Sequence, residues 1–123
     1  MATSGRVGLH LFHLLGVVPF LFYVTLSRSA IPDAVFYVLA GLGAILILYH
    51  GGKAAYRWYT GSTYWWVNAI HAFYLGPLLL YIGLSKKTAP RASYEALMLF
   101  TFAALGYHLK LLADDLAAPY GAA

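Results

Sequence analysis

The chain has 123 residues, 62% hydrophobic and 10% charged, with a formal charge of +4, a mean hydropathy of +0.71 and no cysteine. A water-soluble domain of this length carries an apolar share nearer half, so the composition points to a bilayer. The missing cysteines exclude disulfides, thiolate metal sites and cysteine nucleophiles, and the basic residues are scattered over segment ends instead of forming the stripe that nucleic acid needs.

Taken in order, Met1 to Arg6 is a short polar leader, and an apolar run follows from about Val7 to Leu26. A basic residue, an apolar run and then SRSA have the outline of a signal peptide. The same run recurs internally as Val67 to Leu84, where cleavage for export has no meaning, so the first run is read as a transmembrane helix. At roughly 1.5 Å per residue it is long enough for a hydrocarbon core of about 30 Å. Ser27 to Asp33 is a tight turn, with Pro32 placed to start the next helix and Arg28 at headgroup level.

A second helix is expected from about Ala34 to Lys53, with Ala40, Gly41 and Ala44 offering small surface for a close helix neighbour and Gly51-Gly52 as its stop. The connection Ala54 to Thr63 leads into Tyr64, Trp65 and Trp66. All three tryptophans, Trp58, Trp65 and Trp66, thus sit at one boundary, as interfacial anchors do. The third helix runs to about Leu84, the turn SKKTAPR repeats the proline-containing turn of the first half, and the fourth helix runs from about Ala92 to Leu112. Asp114-Asp115 and the tail APYGAA are expected outside the bilayer.

The two halves are copies. A shift of 58 positions carries His13 to His71, Pro19 to Pro77, Tyr23 to Tyr81, Pro32 to Pro90 and Tyr49-His50 to Tyr107-His108 without a gap. The expected fold is therefore an all-α integral membrane four-helix bundle, a single domain over 1–123. It is built of two tandem helical hairpins, repeat 1 about 7–53 and repeat 2 about 65–111, related by a pseudo-two-fold along the membrane normal. Both termini then lie on the same side of a multi-pass protein. Arg6, Lys53, Arg57 and Lys110 balance Arg28, Lys86, Lys87 and Arg91, so charge leaves the orientation open.

Duplication also multiplies the histidines. A hairpin brings His13 and His50 to similar depth, and the second hairpin does the same for His71 and His108. Ionisable residues in membrane spans mark cofactor, ion or proton sites, and neutral imidazole is a ligand for haem iron, copper and zinc. His13, His50, His71 and His108 are the candidate ligands of a haem or a transition metal (Cu, Zn or Fe), serving electron transfer or cofactor carriage. His10, Asn68, Tyr49 and Tyr107 stand beside them as outer partners that fix ring orientation. The plain alternative is that each imidazole, a turn or so from the interface, reaches headgroups or water.

Other features complete the reading. Pro19 and Pro77 are expected as kinks that neighbouring helices accommodate. Asp33 against Arg91 and Arg57 against Asp115 are matched positions of opposite charge, able to pair if they lie near the axis. No phosphate loop, potassium filter, HExxH or serine nucleophile motif occurs. Beside cofactor binding stand two rivals: a small ion or proton channel, built as a homo-oligomer because four short helices leave little room for a pore, and a ligand-free scaffold subunit of a larger membrane complex.

The second half carries a resemblance on His71, Pro77, Tyr81, Ile82, Gly83, Lys87, Pro90, Tyr107, His108 and Lys110. In this pattern it resembles small multi-span membrane proteins encoded by large DNA viruses of algae and other protists. The first half departs from it at Thr25, where the pattern has glycine, and at Gly52, where it has lysine. The resemblance implies a viral or host internal membrane and no particular activity.

Overall fold

The computed structural model describes residues 2–118. Four helical stretches are long and apolar enough to cross a membrane: α1 (Ser4–Ala30), α2 (Asp33–Tyr59), α3 (Trp65–Thr88) and α4 (Arg91–Ala117). No strand occurs among the described residues. Only 22%, 17%, 33% and 17% of their most apolar windows is buried. Large side chains such as Leu15, Leu48, Phe73 and Leu99 point outward, which in water would be a large apolar patch.

Two boundaries differ from expectation. α2 does not stop at Gly51-Gly52 but continues to Tyr59 with Gly51 in ordinary right-handed helical geometry. Glycine stops a helix when freed carbonyls find water; in apolar surroundings the backbone keeps its internal hydrogen bonds. α4 likewise runs on to Ala117, so that Asp114 and Asp115 are helical and not part of a polar tail. Residues 119–123 of the expected tail lie outside the described residues.

The expected proline kinks take the form of wide turns. π-helical turns occupy His13–Val17 and His71–Leu75, and Val18 N–H and Gly76 N–H donate back five residues to the carbonyls of His13 and His71. Pro19 and Pro77 follow directly, lacking an N–H and crowding the carbonyl four residues earlier, which the wide turn relieves. A third wide turn, Leu46–His50, precedes the two glycines of α2. The turns between helices also match: Arg28 and Lys86, equivalent under the repeat shift, have φ of 50° and 51°.

The chain divides into two compact units, neither of which is a repeat. Among the described residues unit 1 joins 2–26 to 98–118, and unit 2 is Ser27–Leu97. Each therefore packs a helix of the first copy on a helix of the second. In unit 2, α2 and α3 meet at glycine: a Cβ on Gly43 would stand 2.4 Å from Leu80 N, one on Gly83 2.4 Å from Ala40 N, and one on Gly76 3.1 Å from the Gly43 carbonyl. Backbones this close are the usual device of helix pairs in lipid. The close approach uses Gly43 and Ala40; Gly41 has nothing within 4 Å of such a Cβ. In unit 1 the equivalent positions are Thr101, Thr25 and Val18, all buried, and Phe22 meets Phe102 edge-on at 5.0 Å.

Candidate functional site: two imidazole clusters

Each unit holds a histidine pair. In unit 1 the rings of His13 and His108 are stacked, 4.1 Å between centroids and 16° apart; in unit 2 His50 and His71 are stacked at 4.5 Å and 21°. The two pairs are equivalents under the repeat shift. The hairpins are expected to bring His13 level with His50 and His71 level with His108; the ring contacts instead pair His13 with His108 and His50 with His71, each across the two copies.

Backbone carbonyls orient two of these rings. His13 Nδ1 lies 2.8 Å from the Leu9 carbonyl and His71 Nδ1 lies 2.7 Å from the Val67 carbonyl, again equivalent pairs. A carbonyl only accepts, so Nδ1 carries the hydrogen in both. The other two rings are held by the neighbours one turn outward on the facing helix. His50 Nδ1 donates to Asn68 Oδ1 at 3.0 Å, and His108 Nδ1 lies 3.0 Å from His10 Nδ1. Tyr49 and Tyr107 each set their ring edge-on to the following histidine, at 5.1 Å and 5.4 Å.

Here the copies part. Asn68 is neutral, and its Nδ2 is buried without a hydrogen bond to any described residue. His10, in the same place in unit 1, is ionisable and only 4% exposed. Its Nε2 faces Asp115 Oδ2 at 3.5 Å, and both atoms are buried with no hydrogen-bond partner among the described residues. The other carboxylate oxygen, Oδ1, takes an ion pair from Arg6 at 2.5 Å. Asp115 is thus a member of the cluster that the sequence reading placed outside the bilayer. Its spacing from His108, seven residues or two helical turns, is the signal that would have found it once α4 is extended.

Compared with protein-family models, curated proteins and solved structures, the chain matches none. The viral resemblance therefore rests on the quoted residues alone.

The geometry weighs on the ligand expectation in two ways. With Nδ1 of His13 and His71 tied to carbonyls, Nε2 is the nitrogen left with a lone pair, as outer partners arrange for metal-bound histidine. Stacked rings, however, present faces and not Nε2 atoms to each other, and 4 Å between them leaves no room for a metal or macrocycle within a pair. Among the described residues no three of His, Cys, Asp or Glu converge as a metal-holding group. The opposite-charge pairs are also rearranged: Asp33 pairs with Lys87 at 3.7 Å and Arg91 with Glu95 at 2.6 Å.

Proposed function

We propose that the chain is a multi-pass membrane protein whose chemistry is proton uptake and relay at the cluster Asp115, His10 and His108. The observation that carries this reading is the buried, hydrogen-bond-deficient pair His10 Nε2 and Asp115 Oδ2, 3.5 Å apart, with His108 in hydrogen-bond reach on the far side of the same ring. An imidazole between a carboxylate and a second imidazole is a proton shuttle. A proton taken by His108 at Nε2 lets its Nδ1 hydrogen pass to His10 Nδ1. His10 then gives its Nε2 hydrogen to Asp115 Oδ2, from which it leaves, so one proton enters as one departs. Ionisable groups inside membrane spans mark such paths.

The duplicated sequence and the matching contacts support insertion of two hairpins in the same orientation, related by a pseudo-two-fold along the membrane normal, with both termini on one side. The cluster then lies near one surface, and Thr101 is a buried polar group close to the middle of α4. A path across the whole bilayer is a property of several copies together, which makes a homo-oligomeric conduit the form of the proposal. The test is proton flux into vesicles holding a pH-sensitive dye. Wild type conducts, and His10→Asn, which recreates the Asn–His arrangement of unit 2, falls to the level of empty vesicles; no wild-type flux above empty vesicles removes the reading.

A histidine-held haem or transition metal is the second reading, supported by the Nδ1 bonds of His13 and His71 to carbonyls. A visible absorption band on reconstitution with haem, or bound copper or zinc lost in His13→Ala and His71→Ala, would favour it; a colourless, metal-free protein would remove it.

A further inference from the structure

A groove of about 270 Å³ lies between α2 and α3 within unit 2, lined by Gly51, Ala54, Trp58, Trp65, Ala69 and Phe73 among others. Trp58 and Trp65 meet edge-on at 4.8 Å and also line a second hollow, about 240 Å³, with Gly61, Ser62 and Thr63. An apolar groove thus adjoins a polar mouth across a tryptophan pair. We infer that this groove seats an acyl chain of an anionic phospholipid, with its phosphate at Lys53 and Arg57.

The first argument comes from the duplication. The repeat shift turns Gly51, Ala54 and Ala69 into Leu109, Leu112 and Leu11, and Trp58, Trp65 and Phe73 into Leu116, Val7 and Leu15. One copy of this face is filled with leucine, while the other is small residues flanked by aromatic rings. Burial of apolar surface favours filling such a hollow, and in a bilayer the material at hand is an acyl chain.

The second argument is charge. No aspartate or glutamate occurs anywhere in 46–75, whereas Lys53 and Arg57 lie one turn apart on α2, each directly before a groove residue. Among the described residues neither makes an ion pair; Lys53 Nζ donates to Tyr49 Oη at 3.4 Å and lies 5.5 Å from the centre of that ring. Of the other cations, Arg6, Lys87, Arg91 and Lys110 pair with Asp115, Asp33, Glu95 and Asp114, while Arg28 and Lys86, also without an ion pair among the described residues, stand at the turns at the opposite helix ends from Trp58 and Trp65. Two uncompensated cations beside tryptophans, which sit at headgroup depth, select an anionic headgroup over a zwitterionic one.

The inference rests on membrane insertion but not on the proton reading. Its test uses the full chain in vesicles on a Trp66→Phe background, so that Trp58 and Trp65 report. The expected result is that phosphatidylglycerol brominated on its acyl chains quenches their fluorescence about twofold or more beyond equally brominated phosphatidylcholine at the same mole fraction. Ala54→Leu with Ala69→Leu, which copies the leucine-filled face, removes that excess, and Lys53→Gln with Arg57→Gln removes it while keeping the helical circular dichroism. Equal quenching by the two lipids before any groove substitution, or an excess that survives the Lys53→Gln, Arg57→Gln pair, overturns the inference. A chain that neither floats with vesicles nor is quenched by either lipid overturns insertion as well.

Discussion

His10 Nε2 stands 3.5 Å from Asp115 Oδ2, and neither buried atom completes a hydrogen bond with any described residue. A buried polar atom left unsatisfied costs about 1–3 kcal/mol, so the pair persists only if something supplies the missing bond. A proton does so. Asp115→Asn is expected to lower proton flux by about a hundredfold, the lower end of the range for a lost proton-transfer group, with helical content unchanged. The vesicle dye assay checks it.

The crossing of α2 and α3 predicts a stability contrast among glycines. Gly83→Ala puts a methyl 2.4 Å from Ala40 N and 2.7 Å from the Phe36 carbonyl, both backbone atoms that cannot swing aside. A loss of about 1–3 kcal/mol is expected, as for other overpacked cores. Gly41→Ala meets open space and should be neutral or gain up to about 1 kcal/mol in helix propensity. Thermal unfolding in detergent measures both.

The paired turns make a second contrast. Arg28 at φ 50° and Lys86 at φ 51° occupy backbone territory that suits glycine. Arg28→Gly should stabilise by about 1 kcal/mol, the lower end of the cost of such a conformation. Lys86→Gly should gain less, since it also loses the 3.0 Å bond from Lys86 Nζ to Tyr37 Oη. The same unfolding experiment ranks them.

Pro77→Ala restores an N–H four residues after the Phe73 carbonyl and removes the reason for the wide turn at His71–Leu75. An ordinary α turn there changes the register by one residue, about 100° of rotation, between His71 and the segment beyond it. The His50–His71 stack at 4.5 Å should be lost. A change in imidazole ring-current shifts, absent from a Pro90→Ala control, reports it.

The duplication and the four long apolar helices were legible because apolar length and repeated residues are carried in the order of the letters. Which histidine touches which was not. A repeat shift gives equivalence, not contact, and His13 with His108 satisfies it as well as the hairpin pairing does. Asp115 was hidden by a boundary: ending the fourth helix near Leu112 turns Asp114-Asp115 into a solvated tail, while two further turns beyond His108 carry the carboxylate to His10. Gly51-Gly52 misled for a related reason, since a glycine closes a helix where it turns left-handed, and Gly51 keeps right-handed helical dihedrals. Small residues were recognised as contact surface, but Gly41 and Gly43 differ by two positions on a helix, and side-by-side packing alone decides which one faces α3.

Nitrogen-15 NMR of histidine-labelled protein in lipid bilayers tests the proton relay most directly. The account predicts a coupling across Nδ1 of His10 and Nδ1 of His108, abolished in Asp115→Asn, and no such coupling from His50, whose partner is Asn68. No coupling between His10 and His108, or one that survives Asp115→Asn, would contradict it.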